Sequence, residues 1–293
     1  MRNFAFENME LTTRILVTGC NGQLGNELRR ILGASAVYTD VDSLDLCNRN
    51  AVESFLMAGD YSHVINCAAY TAVDKAEEEK KQCHAANVDA IENIARYSAE
   101  NGIKVLHIST DYVFDGTQCR PYNEGDKTNP LSVYGITKRK GETALLGLAP
   151  DSIVIRTGWL YSSFGRNFVK IILDKAYKGV PLRVVCDQIG TPTFAADLAQ
   201  TIVTIVTSCS WTPGVFNYSN EGVASWYDFA LAIIEEAGID VPVRPIMSCD
   251  YPTTATRPQY SVLDKSKIKA TFGFDIPHWR VSLRRCIKDI KEQ

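Results

Sequence analysis

The segment Arg14-Ile-Leu-Val-Thr-Gly-Cys-Asn-Gly-Gln-Leu-Gly25 constrains the fold of this chain more than any other. An aliphatic run, Ile15 to Val17, stops at Thr18, and glycines follow at Gly19, Gly22 and Gly25. Beyond them Leu24, Leu28, Ile31 and Leu32 fall on one stripe at helical spacing. Strand, glycine turn and helix in this order make a cradle for a dinucleotide pyrophosphate. Gly19 permits the tight turn, Gly22 lets a phosphate approach the backbone, and Gly25 lets the helix pack closely. The first helical turn, with Gln23 and Leu24, presents free amides and a positive dipole end. The spacing is Gly-x-x-Gly-x-x-Gly, and glycine turns after strands are common, so the rest of the chain has to decide.

The 293 residues suffice for one large α/β domain, or for one with a smaller lobe attached. A net charge of −3 offers no footprint for nucleic acid or an anionic membrane, and no apolar stretch is long enough to span a bilayer. Met1 to Thr13 lack an apolar signal core and read as a frayed extension rather than a secretory leader. The nine cysteines are scattered without a Cys-x-x-Cys pair, so neither a zinc site nor a redox motif is spelled. Reduced thiols in a cytoplasmic protein are the consequence. The four histidines are likewise dispersed, and no metal site is expected.

Strand patterns at 36–40, 63–68, 104–109 and 153–156 alternate with helical patterns at 50–57, 75–100 (with a break near His84) and 133–148. That rhythm predicts a doubly wound parallel sheet, a Rossmann-type α/β fold, over residues 14–158. Residues 159–293 are expected to build a smaller substrate lobe, with about 194–219 returning to the main sheet. Helices are expected there at 167–178, 194–207, 226–237, 264–271 and 281–290, and short strands at 182–186, 214–218 and 243–247. Pro242, Pro245, Pro252 and Pro258 suit loops around a ligand.

Asp40 ends the second strand about 20 residues past the glycine turn, where an acid binds the adenosine ribose hydroxyls. Asp45 and Leu46 follow as a border for the adenine. Cys20 occupies the slot in which a basic residue would meet a 2′-phosphate, and Arg29 and Arg30 lie far along the helix. NADH is therefore favoured over NADPH on charge. The third strand ends in Ala68-Ala69-Tyr70, small residues followed by an aromatic, at the edge where a cofactor would lie. The fourth ends in Ser109-Thr110-Asp111-Tyr112. Tyr134-Gly-Ile-Thr-Lys138 places a phenol and an ammonium on one helix face. The lysine is expected to lower the tyrosine pKa, making it a proton donor, with Ser109 or Thr110 bonding the same substrate oxygen.

Together with Asn66-Cys-Ala-Ala, Arg156-Thr-Gly-Trp-Leu-Tyr161, Asp187-Gln-x-Gly-x-Pro-Thr193, Arg257-Pro258 and Ser261-Val-Leu-Asp264, these motifs resemble the extended short-chain dehydrogenase/reductases. Within them the likeness is to the dTDP-4-dehydrorhamnose reductase family, over nearly the whole chain beyond Thr13. The resemblance implies a cytoplasmic NADPH- or NADH-dependent reduction of a dTDP-sugar by a monomer or homodimer. It implies Thr110, Tyr134 and Lys138 as catalytic residues. The cofactor would be lined by Gly19, Gly22, Gln23, Leu24, Gly25, Asp40, Asp45, Leu46, Ala68, Ala69 and Tyr70, with Tyr134 and Lys138. Asp111, Tyr112, Trp159, Asn167 and Arg257, with Thr110, would contact substrate. Glu27 matches one glutamate of magnesium-linked dimers, but Ala196 stands where a second is expected, so Mg2+ is not implied. Two rivals share the fold. A nucleotide-sugar dehydratase would show an Asp-Glu pair where Thr110-Asp111 stands. A regulatory module like the methionine adenosyltransferase subunit would not need Thr110, Tyr134 and Lys138 together.

Overall fold

In the computed structural model, which describes residues 14–208 and 210–292, the glycine segment opens a parallel sheet. The extension 1–13 lies outside the described residues. Strand β1 (Ile15–Thr18) leads into α1 (Gln23–Leu32), and β2 (Ala36–Thr39) into α2 (Arg49–Gly59). Next come β3 (His63–Asn66), α3 (Val73–Ala76), α4 (Lys80–His84) and α5 (Ala90–Glu100). After them follow β4 (Lys104–Thr110), α6 (Val133–Leu148) and β5 (Ile153–Thr157). The second half adds β6 (Leu160–Tyr161), α7 (Phe168–Tyr177), β7 (Leu182–Val185), β8 (Ile189–Gly190), β9 (Thr193–Phe194), α8 (Ala195–Thr207) and β10 (Gly214–Asn217). It closes with β11 (Ala224–Ser225), α9 (Trp226–Ala237), β12 (Val243–Ile246), α10 (Ser266–Phe272) and α11 (Trp279–Lys291).

The six-stranded sheet runs β2-β1-β3-β4-β5-β10, all neighbours parallel. Period-two alternation divides its apolar residues between two faces. Ile15, Val17, Ile65, Leu106, Ile153 and Ile155 pack with Leu24 and Leu28 of α1 and Leu198 and Ile202 of α8. Leu16, Val64, Val105 and Val154 pack against α2, α5 and α6 through Val52, Ile91 and Leu145. The chain steps from β1 outward to β2 and then back across to β3, so the loops after β1 and β3 part at a switch point. A separate core of α7, α9 and α11, centred on Ile172, Phe229 and Leu283, forms the lobe that faces this edge.

The helix expected over 75–100 is interrupted where a break near His84 was expected, and also after Ala76. It breaks into α3, α4, a π-helical turn at Ala85–Asp89, and α5. Long-range bonds that no periodicity records hold the breaks. Asn87, inside the π turn, accepts from Tyr70 N at 2.9 Å and donates to Thr137 Oγ1 at 3.1 Å. Glu77, between α3 and α4, accepts from Val133 N at 2.8 Å. Asn167, expected as the first residue of a helix, instead caps α7, accepting from Lys170 N.

Candidate active site

The carboxyl ends of β1, β3, β4 and β5 open onto a cleft of about 840 Å³ that the second lobe roofs with Trp159, Asn167 and Trp226. Each glycine of the turn has its own reason. Gly19 sits at φ +66°, and a Cβ there would lie 2.6 Å from Ala68 N. A Cβ on Gly25 would lie 2.5 Å from Gly19 O, so this glycine lets α1 close on the turn itself. Gly22 is different: its Cβ would meet only Gly19 O, at 3.3 Å, and its open side lines the cleft. Gln23 Oε1 is buried at the same wall without a hydrogen-bond partner, an acceptor that a bound hydroxyl or amide would satisfy. The residues present therefore fit a dinucleotide across the turn.

Asp40 faces the turn, its carboxylate accepting from Asn21 N at 2.8 Å and Val41 N at 2.9 Å. Asp45 and Leu46 line the same end of the cleft. Arg29 corrects the expectation that no cation reaches this end. Its guanidinium folds back along α1, donates to Cys20 Sγ at 3.0 Å and lies 4.9 Å over the Tyr38 ring. The Cys20 thiol lies in the fields of both Arg29 and Asp40, so opposite charges flank one side chain of the turn.

Thr110, Tyr134 and Lys138 come together at the middle of the cleft. Ser132 caps α6 by accepting from Gly135 N, and Gly135 lets the first turn of α6 press on the Tyr112 carbonyl, where a Cβ would lie 2.3 Å away. That approach lays Tyr134 against the end of β4. The Tyr134 phenol hydrogen-bonds the Thr110 side chain, and Thr110 Oγ1 donates onward to Asp111 Oδ1 at 3.1 Å. Burial pushes the Tyr134 phenol up to about 12, with Asp111 acting in the same direction and Thr110 opposing. The expected lowering by Lys138 is absent: the lysine points beneath the cleft, donating to Ile108 O at 2.6 Å beside His107 Nε2 at 3.2 Å. Burial brings Lys138 down to about 8 and Asp111 up to about 6. Between the two hydroxyls at the end of β4, Thr110 faces Tyr134. Ser109 donates to Glu142 at 2.5 Å, within a buried pair that Glu142 forms with Arg156 at 2.9 and 2.7 Å.

The lobe side of the cleft is aromatic. Trp159 holds a left-handed backbone, φ +51°, and stacks face to face on Trp226 at 3.5 Å. Gly190 makes room for the ring, since a Cβ there would lie 2.6 Å from Trp159. Tyr112 meets Tyr134 edge-on at 5.6 Å. Asn167 lines the wall, with its amide donating to Ser162 O at 2.7 Å. Tyr70 and Arg257 stand outside the lining. Tyr70 donates to Glu79 at 2.5 Å, and Arg257 clamps Asp74 through two bonds of 3.0 and 2.6 Å. Sequence reasoning missed Trp226 and Arg166, both in the cleft wall. The helix expected over 226–237 is present, capped by Ser225, but its periodicity does not say that its first residue would line the cleft. Glu27, the magnesium-matching glutamate, is buried, accepting from Ser162 Oγ at 2.6 Å and pairing with Arg30 at 3.2 Å. Among the described residues no group of three acidic, histidine or cysteine side chains is placed to hold a metal.

The RmlD substrate binding domain family model matches residues 13–292. A dTDP-4-dehydrorhamnose reductase of Aggregatibacter actinomycetemcomitans is 39% identical, the match covering 92% of this chain and 97% of the relative. The crystal structure of a dTDP-4-dehydrorhamnose reductase from Clostridium acetobutylicum superposes with a TM-score of 0.92 at 40% identity, covering 95% of this chain and all of that one. A Bacillus anthracis dTDP-4-dehydrorhamnose reductase in complex with NADP gives a TM-score of 0.91 at 33% identity, covering 94% and 99%. With fold and sequence agreeing over almost their full length, this chain belongs to the RmlD, or dTDP-4-dehydrorhamnose reductase, family of extended short-chain dehydrogenase/reductases.

Proposed function

We propose that this chain reduces the 4-keto group of dTDP-4-dehydro-L-rhamnose to give dTDP-L-rhamnose, a step of rhamnose and cell-surface polysaccharide biosynthesis. The observation that carries the reading is the placement of Tyr134 and Thr110 in the same cleft as the Gly19–Gly25 turn. A reduced nicotinamide, when bound, supplies the hydride. The rest of the chemistry belongs to the chain. Tyr134, its phenol held up at about 12, remains protonated at working pH and gives its proton to the developing alkoxide oxygen. Thr110 bonds the same oxygen, and Asp111 orients Thr110. Lys138 lies one helical turn behind Tyr134, and the hydrogen it has left beyond Ile108 and His107 serves the nicotinamide ribose. Trp159 and Trp226 give the sugar nucleotide an apolar wall that excludes water. Asp40 disfavours a 2′-phosphate and Arg29 favours one, so both NADH and NADPH serve, and no step needs Mg2+. The free cysteines suit a reducing, cytoplasmic setting.

The test is an absorbance assay with dTDP-4-dehydrorhamnose and NADH or NADPH. The parent should consume the cofactor, while Tyr134→Phe should lose about 100-fold or more in kcat with cofactor affinity kept. Lys138→Met should lose both. A Tyr134→Phe enzyme that turned over like the parent would sink the mechanism, and a parent inactive on this sugar would sink the substrate.

A further inference from the structure

Beneath the cleft a chain of polar side chains runs through three strands to the buried side of Lys138. Thr18 Oγ1, on β1, donates to Asn66 Oδ1, on β3, at 2.7 Å. The same oxygen accepts the backbone N–H of Ala68 at 3.1 Å. The amide nitrogen of Asn66 lies 2.9 Å from His107 Nδ1, on β4, and His107 Nε2 lies 3.2 Å from Lys138 Nζ. None of Thr18, Asn66, His107 and Lys138 is more than 2% exposed, so solvent does not repair a mismatch anywhere along the chain.

The donors and acceptors then fix one another. A backbone N–H only donates, so Ala68 sets which way the Asn66 amide points: oxygen toward Ala68, nitrogen toward His107. An amide nitrogen also only donates, so His107 Nδ1 must accept and carries no proton. A neutral imidazole in that state has its proton on Nε2, aimed at Lys138. An ammonium has three hydrogens and no lone pair, so it would meet Nε2–H as donor against donor. An amine matches: its lone pair accepts from His107, one hydrogen goes to Ile108 O at 2.6 Å, and one is left for the cleft.

We propose that His107, locked by Asn66 as its Nε2–H tautomer, donates to Lys138 Nζ and so favours the uncharged amine of that lysine. His107 is thus a positioning residue that sets the proton state of Lys138. The inference rests on the reading of Lys138 as part of the catalytic machinery. Burial, the largest cause, drives His107 well below the ordinary histidine range, which keeps the ring neutral as the tautomer argument requires. Burial lowers Lys138 as well, to about 8. The groups that face Lys138 and act the other way are Glu142 on its own helix, Cys67 after β3 and Cys83 on α4. Glu142 is already held by Arg156, and burial raises both thiols, so they stay uncharged. Lys138 accordingly loses its charge within reach of neutral pH, where an ordinary lysine stays a cation to about 10.

The test reads tautomer and charge directly, on the whole protein without ligand. Nitrogen-15 NMR of the four histidines, assigned by a single glutamine replacement at each, should show His107 as the Nε2–H tautomer from pH 5 to 9. The Lys138 Cε resonance, identified by its loss in Lys138→Met, should titrate near or below 8, well under the ordinary lysine value of about 10. In His107→Phe, which removes the donor but keeps a ring, that titration should move up by about one pH unit or more. The alkaline limb of the kcat profile should follow it. A His107 protonated on Nδ1 or on both nitrogens, or a Lys138 titrating above 10 in the parent, would overturn the proposal. If the relay reads as expected while Lys138→Met keeps full turnover, the catalytic role of the lysine fails and the relay stands.

Discussion

Arg29 and Asp40 bring opposite charges to one glycine turn, and the balance between them governs the choice of cofactor. The Asp40 carboxylate is held by two backbone amides and cannot swing away without leaving them bare. Arg29 is restrained by only a thiol and a ring face, both easily exchanged for a phosphate. Asp40→Ala should therefore raise the NADPH to NADH ratio of kcat/KM, and Arg29→Ala should lower it. Each change should be about tenfold, the worth of one charged hydrogen bond of about 1.5 kcal/mol. An Arg29→Ala enzyme with an unchanged ratio would show that the guanidinium never leaves Cys20. This pair also marks where reading the sequence by itself stops. Asp40 was legible because strand and acid stand at a fixed spacing from the turn. Arg29 was not, because its direction depends on how the side chain folds back over Cys20 and Tyr38.

At the scale of elements, β5, β6 and α9 meet through two indole rings. Trp159 sits in a left-handed backbone that only glycine adopts freely, so its stack on Trp226 is made against local strain of about 1–2 kcal/mol. Two replacements separate ring from backbone. Trp159→Ala and Trp159→Gly should both raise KM for the sugar nucleotide by an order of magnitude or more, with NADH affinity unchanged. Trp159→Gly should melt above Trp159→Ala, because it alone releases the strained φ. Equal KM values in parent and variants would make the stack purely architectural. The strand ends and the Tyr134–Lys138 spacing were readable because each is local, a period or an offset within one element. Trp226 was not, since its place opposite Trp159 is set by docking of the lobe. Of the breaks in the helix after β3, the one near His84 was legible, and the one after Ala76 was hidden for the same reason: Glu77 answers to Val133 rather than to its neighbours.

For the whole molecule, buried ionisable groups make stability depend on pH in two opposed ways. His63, beneath the sheet edge beside Trp211, is held down to about 4 from an ordinary 6.5 by burial and then by Lys104. Between those values the unfolded chain binds a proton that the folded chain refuses, so stability present above 6.5 is lost as pH falls toward 4. Asp111 is raised to about 6 from 3.8, so in that range the folded chain keeps a proton the unfolded chain has released. Its contribution grows as pH falls from 6 toward 4. Melting curves at pH 4.5 and 7 should show His63→Gln losing less on acidification than the parent, and Asp111→Asn losing more. Parallel shifts in parent and variants would mean that these two groups do not govern the acid limb.

The pairing of β10 with β5 sets an order of events during synthesis. A ribosome that has released residues up to 158 has delivered the glycine turn, Asp40, Thr110, Tyr134 and Lys138. It has also delivered a sheet whose last strand, β5, has a bare outer edge. One face of that sheet still lacks Leu198, Ile202, Phe216 and Ile268, all of which come later in the chain. The nascent half is thus chemically equipped before it is structurally closed. Until residue 217 emerges, a polypeptide with an open parallel edge must be kept from pairing with its neighbours on the same message.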